Sequence, residues 1–143
     1  MSFGLKLQGG DLKLSREGLV ETVIKNKKLR QDIVKMLLTN KGSIKYHREY
    51  GSELGIISSE NHFNNQITEA TIEQTVYDGI SKLITLQRLQ MQKQVLSPAE
   101  MILSVKGVVV QRDPGDPRLY NVFVSVITQQ LSEISESITV RLI

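Results

Sequence analysis

The chain has 143 residues, a formal net charge of +3, 40% hydrophobic residues and no cysteine. That length can bury one core without metal or cross-links, and the missing cysteines exclude disulfides, thiol nucleophiles and thiolate metal sites. No stretch has the apolar length that crosses a bilayer and none near the start has the charged-then-apolar layout of a secretion signal, so the expectation is one soluble domain made in the cytoplasm.

Leu5 and Leu7, then Leu12 and Leu14, alternate with polar residues on either side of Gly9-Gly10. This is the pattern of a small hairpin or two edge strands, and with a further extended piece over residues 19–24 it makes residues 1–24 a set of N-terminal strands. Asn26 is a candidate N-cap for the helix that follows. Leu29, Ile33, Met36 and Leu37 recur at i, i+4, i+7 and i+8, Val34 and Leu38 widen the stripe, and Lys28, Gln31, Asp32 and Lys35 take the other side. The spacing predicts an amphipathic helix over 26–39, with Gly42 as its C-terminal stop.

Residues 40–65 are polar and rich in turn formers, among them Gly42, Gly51, Gly55, Ser58-Ser59 and Asn64-Asn65. They read as a long ordered loop, a kind of segment that often carries function. Ile67, Ala70, Val76, Ile80, Leu83 and Ile84 then predict a second, long helix over 66–96, weakened at Gly79 and closed before Pro98. Its glutamine-rich end, Gln87, Gln90, Gln92 and Gln94, reads as solvated.

Residues 98–143 change character. Residues 101–110 and 119–128 are apolar and β-branched, and Asp113-Pro114-Gly115-Asp116-Pro117 between them is dense in turn formers, which predicts a hairpin with a loop longer than two residues. Val122, Val124 and Val126 share one face and Phe123 and Ile127 the other, so this strand is expected at the sheet's centre. Ile138, Val140 and Leu142 alternate with Thr139 and Arg141 in a last strand. The predicted class is α+β, with two main helices packed on a mostly antiparallel sheet.

Charge is unevenly spread. Lys25, Lys27, Lys28, Arg30, Lys35, Lys41, Lys45 and Arg48 face only Asp32 in that part of the chain. An acidic protein surface is the expected partner of this patch. Nucleic acid is the lesser reading, because the chain has no Trp and few other aromatics for base stacking. His47 and His62 lack the helical spacing of a metal site, and no nucleophile elbow or phosphate loop is present. A glycosidase would have to draw on Glu49, Glu53, Glu60 or Asp78. It needs one carboxyl in an apolar setting and a second across a sugar-sized cleft, and Glu49 instead has the cation Arg48 as its chain neighbour.

Several short motifs together resemble a known family: Asp11-Leu12, Gln31, Leu37-Leu38-Thr39, Gly42, Tyr50-Gly51, and the 113–117 turn followed by Tyr120-Asn121-Val122. In this combination the chain resembles the baseplate wedge or sheath-initiator proteins of contractile phage tails and injection systems, a family often called tail lysozyme. It departs from the family pattern at Ser43, where Glu is usual, and at Arg48, where Pro is usual. The family's Glu-Pro-Arg signature is reduced to Ser97-Pro98-Ala99. The resemblance implies a structural virion component of the tail baseplate with no enzymatic turnover, no cofactor and no metal. Its implied partners are the tail sheath protein, other wedge proteins, and central tube or hub proteins in a six-fold assembly. It further implies a sheet like the interlocking domain of the sheath, with Ile138, Thr139, Val140, Arg141 and Leu142 pairing with sheath strands. Lys27, Lys28, Arg30 and Lys35 would form a second partner surface, and Gln31, Gly42, Tyr50, Gly51 and Pro98 would hold the structure. A peptidoglycan-degrading tail lysozyme is the alternative function.

Overall fold

Val122, Val124 and Val126 are fully covered on one face of a strand that has a neighbour on each side. The structure is a computed structural model that describes residues 3–8, 11–19, 22–54 and 65–141. Gly9-Gly10, Gly55, Ser58-Ser59, Glu60, His62, Asn64 and Leu142 lie outside the described residues. The elements are β1 (Gly4–Leu5), β2 (Leu7–Gln8), β3 (Asp11–Leu12), β4 (Thr22–Val23), α1 (Lys25–Leu38), α2 (Asn65–Met91), β5 (Ile102–Arg112), β6 (Leu119–Thr128) and β7 (Glu133–Arg141). The predicted α+β class is what the structure shows: two helices against an antiparallel sheet of order β5-β6-β7.

The central strand is β6, as its two apolar faces require. It runs against β5 with Val110 opposite Val122, and against β7 with Val122 opposite Ile138. The predicted 113–117 turn joins β5 to β6. Asp113 Oδ1 accepts the Gly115 N–H at 2.7 Å and Asp116 Oδ1 accepts the Arg118 N–H at 2.9 Å, the local side-chain bonding that makes Asp a turn former. The N-terminal strands pair β1 with β4 and β2 with β3, in two small two-stranded ribbons. Their leucines, Leu5, Leu7 and Leu12, remain partly in solvent and contribute little core.

Leu29, Ile33, Met36 and Leu37 lay one face of α1 on the core, and Ile72, Val76, Ile80 and Leu83 do the same for α2. Each such side chain contributes about 1.5–3 kcal/mol when fully buried. Gly79, expected to weaken α2, is instead where the two helices approach: a Cβ there would stand 2.9 Å from Leu37 Cδ2.

Five further expectations change. First, α1 begins at Lys25, with Ile24 in the N-cap position and no side-chain cap, so Asn26 lies inside the first turn. Second, α1 ends at Leu38, one residue short of the predicted end, and the stop is Thr39 as C-cap rather than Gly42, because the Thr39 N–H and Oγ1 both bond to Lys35 O, at 3.0 and 2.6 Å. Third, Leu38 does not widen the buried stripe; it is 58% exposed. Fourth, α2 stops at Met91, and the chain turns before Pro98. Fifth, within the supposedly solvated glutamine-rich end, Gln87 is buried.

Candidate assembly surface

Backbone register defines the first part of the surface. The Thr128 N–H bonds Ser132 O at 2.9 Å, just beyond the ladder in which Ile127 faces Glu133 and Leu119 faces Arg141. Hydrogen-bonded pairs alternate with unbonded ones in an antiparallel ladder. The even-numbered residues of β7 therefore exchange bonds with β6, while Glu133, Ser135, Ser137, Thr139 and Arg141 turn N–H and C=O away from it. The Asp113 N–H to Leu119 O bond, 2.8 Å, gives the same parity from the other side of β6, whose odd-numbered residues serve β5. Among the described residues no strand pairs with that outer edge of β7.

One outward carbonyl is taken. Arg30 Nη1 donates to Ser135 O at 3.0 Å and to Glu136 Oε1 at 3.3 Å, so α1 caps the edge at its beginning. Past that cap the outward groups of Ser137, Thr139 and Arg141 remain. Ile138 and Val140 point the other way and are buried, which anchors the strand to its own core. Of the five strand residues singled out from sequence, two are anchors and two, Thr139 and Arg141, present the backbone edge; Leu142 lies outside the described residues.

The basic residues do not share one surface. Lys28 is only 6% exposed and its Nζ stands 2.8 Å from Asp32 Oδ2, with Lys35 at 3.5 Å from the other oxygen. An i, i+4 pair of this kind turns the cation along the helix rather than out to a partner. Arg30 goes to β7, and Lys27 is exposed. Lys27, Arg30 and Lys35 do meet around one groove of about 640 Å³, whose lining also includes Leu7, Val34, Leu38 and Glu136.

Of the positions that carry the motif resemblance, Gln31, Gly42 and Gly51 make or permit backbone contacts. The Gln31 side chain donates to Leu5 O and accepts the Leu7 N–H at 2.9 Å, acting as a backbone surrogate that docks the N-terminal strands on α1. Thr39 O accepts the Ser52 N–H at 2.9 Å, Ser52 O accepts the Lys41 N–H at 3.0 Å, and Ser52 Oγ donates to Leu37 O at 2.6 Å. Gly51 lies at the tightest point of this clasp. Its φ of +107° suits glycine, and a Cβ would fall 2.5 Å from Thr39 O. Tyr50 packs against the core; burial, and then the Asp32 carboxylate, push its phenol above the ordinary tyrosine range. Gly42 turns the chain toward Arg48, whose carbonyl accepts the Gly42 N–H at 3.0 Å. Pro98 is exposed in the approach to β5, next to a turn in which buried Glu100 accepts the Ser97 N–H at 3.2 Å.

A glycosidase needs one carboxyl in an apolar enclosure and a second across the cleft. Glu49 and Glu53 have side chains 80% and 56% exposed, and both face Lys41 Nζ, at 3.7 and 3.8 Å. Glu53 does share a cleft of about 340 Å³ with Asp78, Lys41 and Lys82. Asp78 is exposed and accepts a bond from Gln74 at 3.0 Å. Neither member of that pair has the apolar enclosure of a general acid.

Sequence reasoning missed Glu136 as a groove wall and Arg30 as the cap of β7, since both depend on contacts between residues far apart in the chain. It had a signal for Gln87, a glutamine at helical spacing from the buried Leu83 and Ile80, and read it as solvent-facing.

No family model and no curated protein matches the sequence. Among solved structures, the chain is similar to a protein from Geobacter sulfurreducens named as a candidate tail lysozyme, with 12% sequence identity and a TM-score of 0.60. The match covers 82% of this chain and 90% of that one. At that identity the likeness is one of fold.

Proposed function

We propose that this chain is a structural part of a contractile-tail baseplate that seeds the sheath by strand pairing along the outer edge of β7. The carrying observation is the row of outward backbone groups at Ser137, Thr139 and Arg141, beyond the point where Arg30 caps Ser135. A strand from the first sheath ring would gain main-chain hydrogen bonds there, and its alternating side chains would set register. An unpaired edge is normally a liability that proteins cover, and its retention on an otherwise well-anchored strand favours a partner. The fold shared with a protein named as a tail lysozyme, and the motif resemblance of the sequence, support the same reading. Sheath protein, neighbouring wedge proteins and tube or hub proteins in a six-fold virion baseplate are the partners this role requires.

The test is sheath recruitment by baseplates assembled with Thr139→Pro, which deletes an outward N–H, against Thr139→Ala, which keeps it. We expect the proline variant to fold yet fail to recruit sheath, and the alanine variant to recruit it normally. Full-length sheath on the proline variant would end the strand-pairing idea.

Hydrolysis is the second reading, motivated by the neighbour's name and by the cleft that Glu53 shares with Asp78. Loss of peptidoglycan turbidity with purified protein, abolished by Glu53→Gln or Asp78→Asn, would replace the structural role with an enzymatic one.

A further inference from the structure

We propose that the groove along the outer face of α1 binds an acidic segment of a partner protein that also carries aliphatic side chains. This deepens the assembly reading and rests on it, but it uses α1 and not the vacant edge of β7. Two independent features of the groove specify the occupant.

The first is charge. Among the described residues, Lys6, Lys27, Arg30 and Lys35 line the groove, with Glu136 as the carboxylate among them. Arg30 already divides its guanidinium between Glu136 and the Ser135 carbonyl. Asp32 answers Lys28 and Lys35 with one charge, so the pairing leaves cationic charge over. Lys27 is exposed at the groove's rim. The local field therefore attracts carboxylates.

The second is the apolar lining. Val34 and Leu38 on α1 and Leu7 on β2 form it, and Leu38 keeps more than half of its surface in water. Aliphatic side chains left in water among cations gain by being covered with a partner's own aliphatic residues. Among the described residues the lining holds no aromatic ring on which a nucleic acid base could stack. Its volume of about 640 Å³ takes several partner side chains. Aliphatic residues seated on Val34 and Leu38, with flanking carboxylates over Lys27 and Lys35, satisfy both features together.

The test uses the full chain and the fluorescence anisotropy of a short labelled peptide that alternates glutamate with leucine. Comparison probes are the same peptide with lysine for glutamate, a single-stranded DNA oligonucleotide, and phosphatidylglycerol vesicles. The glutamate peptide should bind and weaken with added salt. Lys27→Glu and Leu38→Asp, both at exposed positions, should each weaken it by about tenfold, while Lys93→Glu, which is not part of the groove's lining, should not. Circular dichroism confirms that the variants fold. Absence of binding, or binding untouched by both groove variants, overturns the proposal. Equal capture of DNA or vesicles with the same dependence on Lys27 overturns it in favour of those ligands. No sheath is present in this assay, so its failure removes the groove alone, and failure of sheath recruitment by β7 leaves the groove standing.

Discussion

Gln87, on the last turns of α2, accepts the N–H of Ile102, the first residue of β5, through its side-chain oxygen at 2.9 Å. Its Nε2 donates to Glu100 O at 2.8 Å. One buried amide thus satisfies a backbone donor and a backbone acceptor and fixes where the sheet starts relative to the long helix. Met101 O also accepts the Gln129 N–H at 2.9 Å, so the same turn is tied to the end of β6.

Replacing Gln87 with Leu keeps the volume roughly constant and strands both backbone groups in the core. Leaving a buried polar group without a partner costs about 1–3 kcal/mol. Urea denaturation of Gln87→Leu should show a loss of at least that size, with an unchanged dependence on denaturant. A loss below about 0.5 kcal/mol, the range of an ordinary surface substitution, would mean that the amide is dispensable.

Gly51→Ala addresses the clasp between the end of α1 and the following loop. The positive φ and the approach of Thr39 O both oppose a side chain, and strain of this kind costs roughly 1–3 kcal/mol. Thermal melting should shift down accordingly. Because Ser52 also anchors the clasp, Ser52→Ala should lower stability by removing the bond to Leu37 O. Melting temperatures that match wild type in both variants would contradict the geometry described here.

Tyr50 carries a pH signature. Its phenol is held above the ordinary value of 10.0 by burial first and by the Asp32 carboxylate second. Above pH 10 the unfolded chain therefore loses this proton before the folded one does, and the folded state binds more protons. Stability from this group is complete below pH 10 and falls as pH rises through the folded value. Tyr50→Phe should flatten that part of the alkaline stability profile measured by urea denaturation. An unchanged alkaline slope in Tyr50→Phe would show that the phenol does not titrate differently in the two states.

Residues 139 and 140 should respond oppositely to proline. The N–H of Val140 belongs to the ladder with Tyr120, so Val140→Pro breaks the protein's own sheet and loses stability before any partner is involved. The N–H of Thr139 points outward, so Thr139→Pro should cost little in the isolated chain and act on strand pairing instead. Amide hydrogen exchange should show fast exchange at Thr139 and protection at Val140 in wild type. The reverse order would mean that the parity of β7 is the opposite of the one described.

Short-range chemistry was legible from residues alone. The 3.6-residue spacing of Leu29, Ile33, Met36 and Leu37 placed the buried face of α1, the two apolar faces of residues 119–128 placed β6 at the sheet's centre, and the Asp-Pro-Gly-Asp-Pro run placed the turn between β5 and β6. Each of these signals lies within one element, where neighbouring side chains decide the outcome. Capping was less legible: Asn26 has the right chemistry, but the preceding extended chain brings Ile24 to the cap position.

The α+β class, the two helices and the alternation of the last strand were readable from residue order, because helical and pleated periods are local properties. The packing of distant segments set which side chains are covered: Lys28 and Gln87 are buried, and Leu38 is left in water beside Lys27 and Lys35. Only the tertiary structure decided which N–H groups of β7 face outward. The physical reason is that edge and register are relations between strands: a slip of one residue exchanges every inward group with every outward one while leaving the amino-acid pattern of the strand untouched.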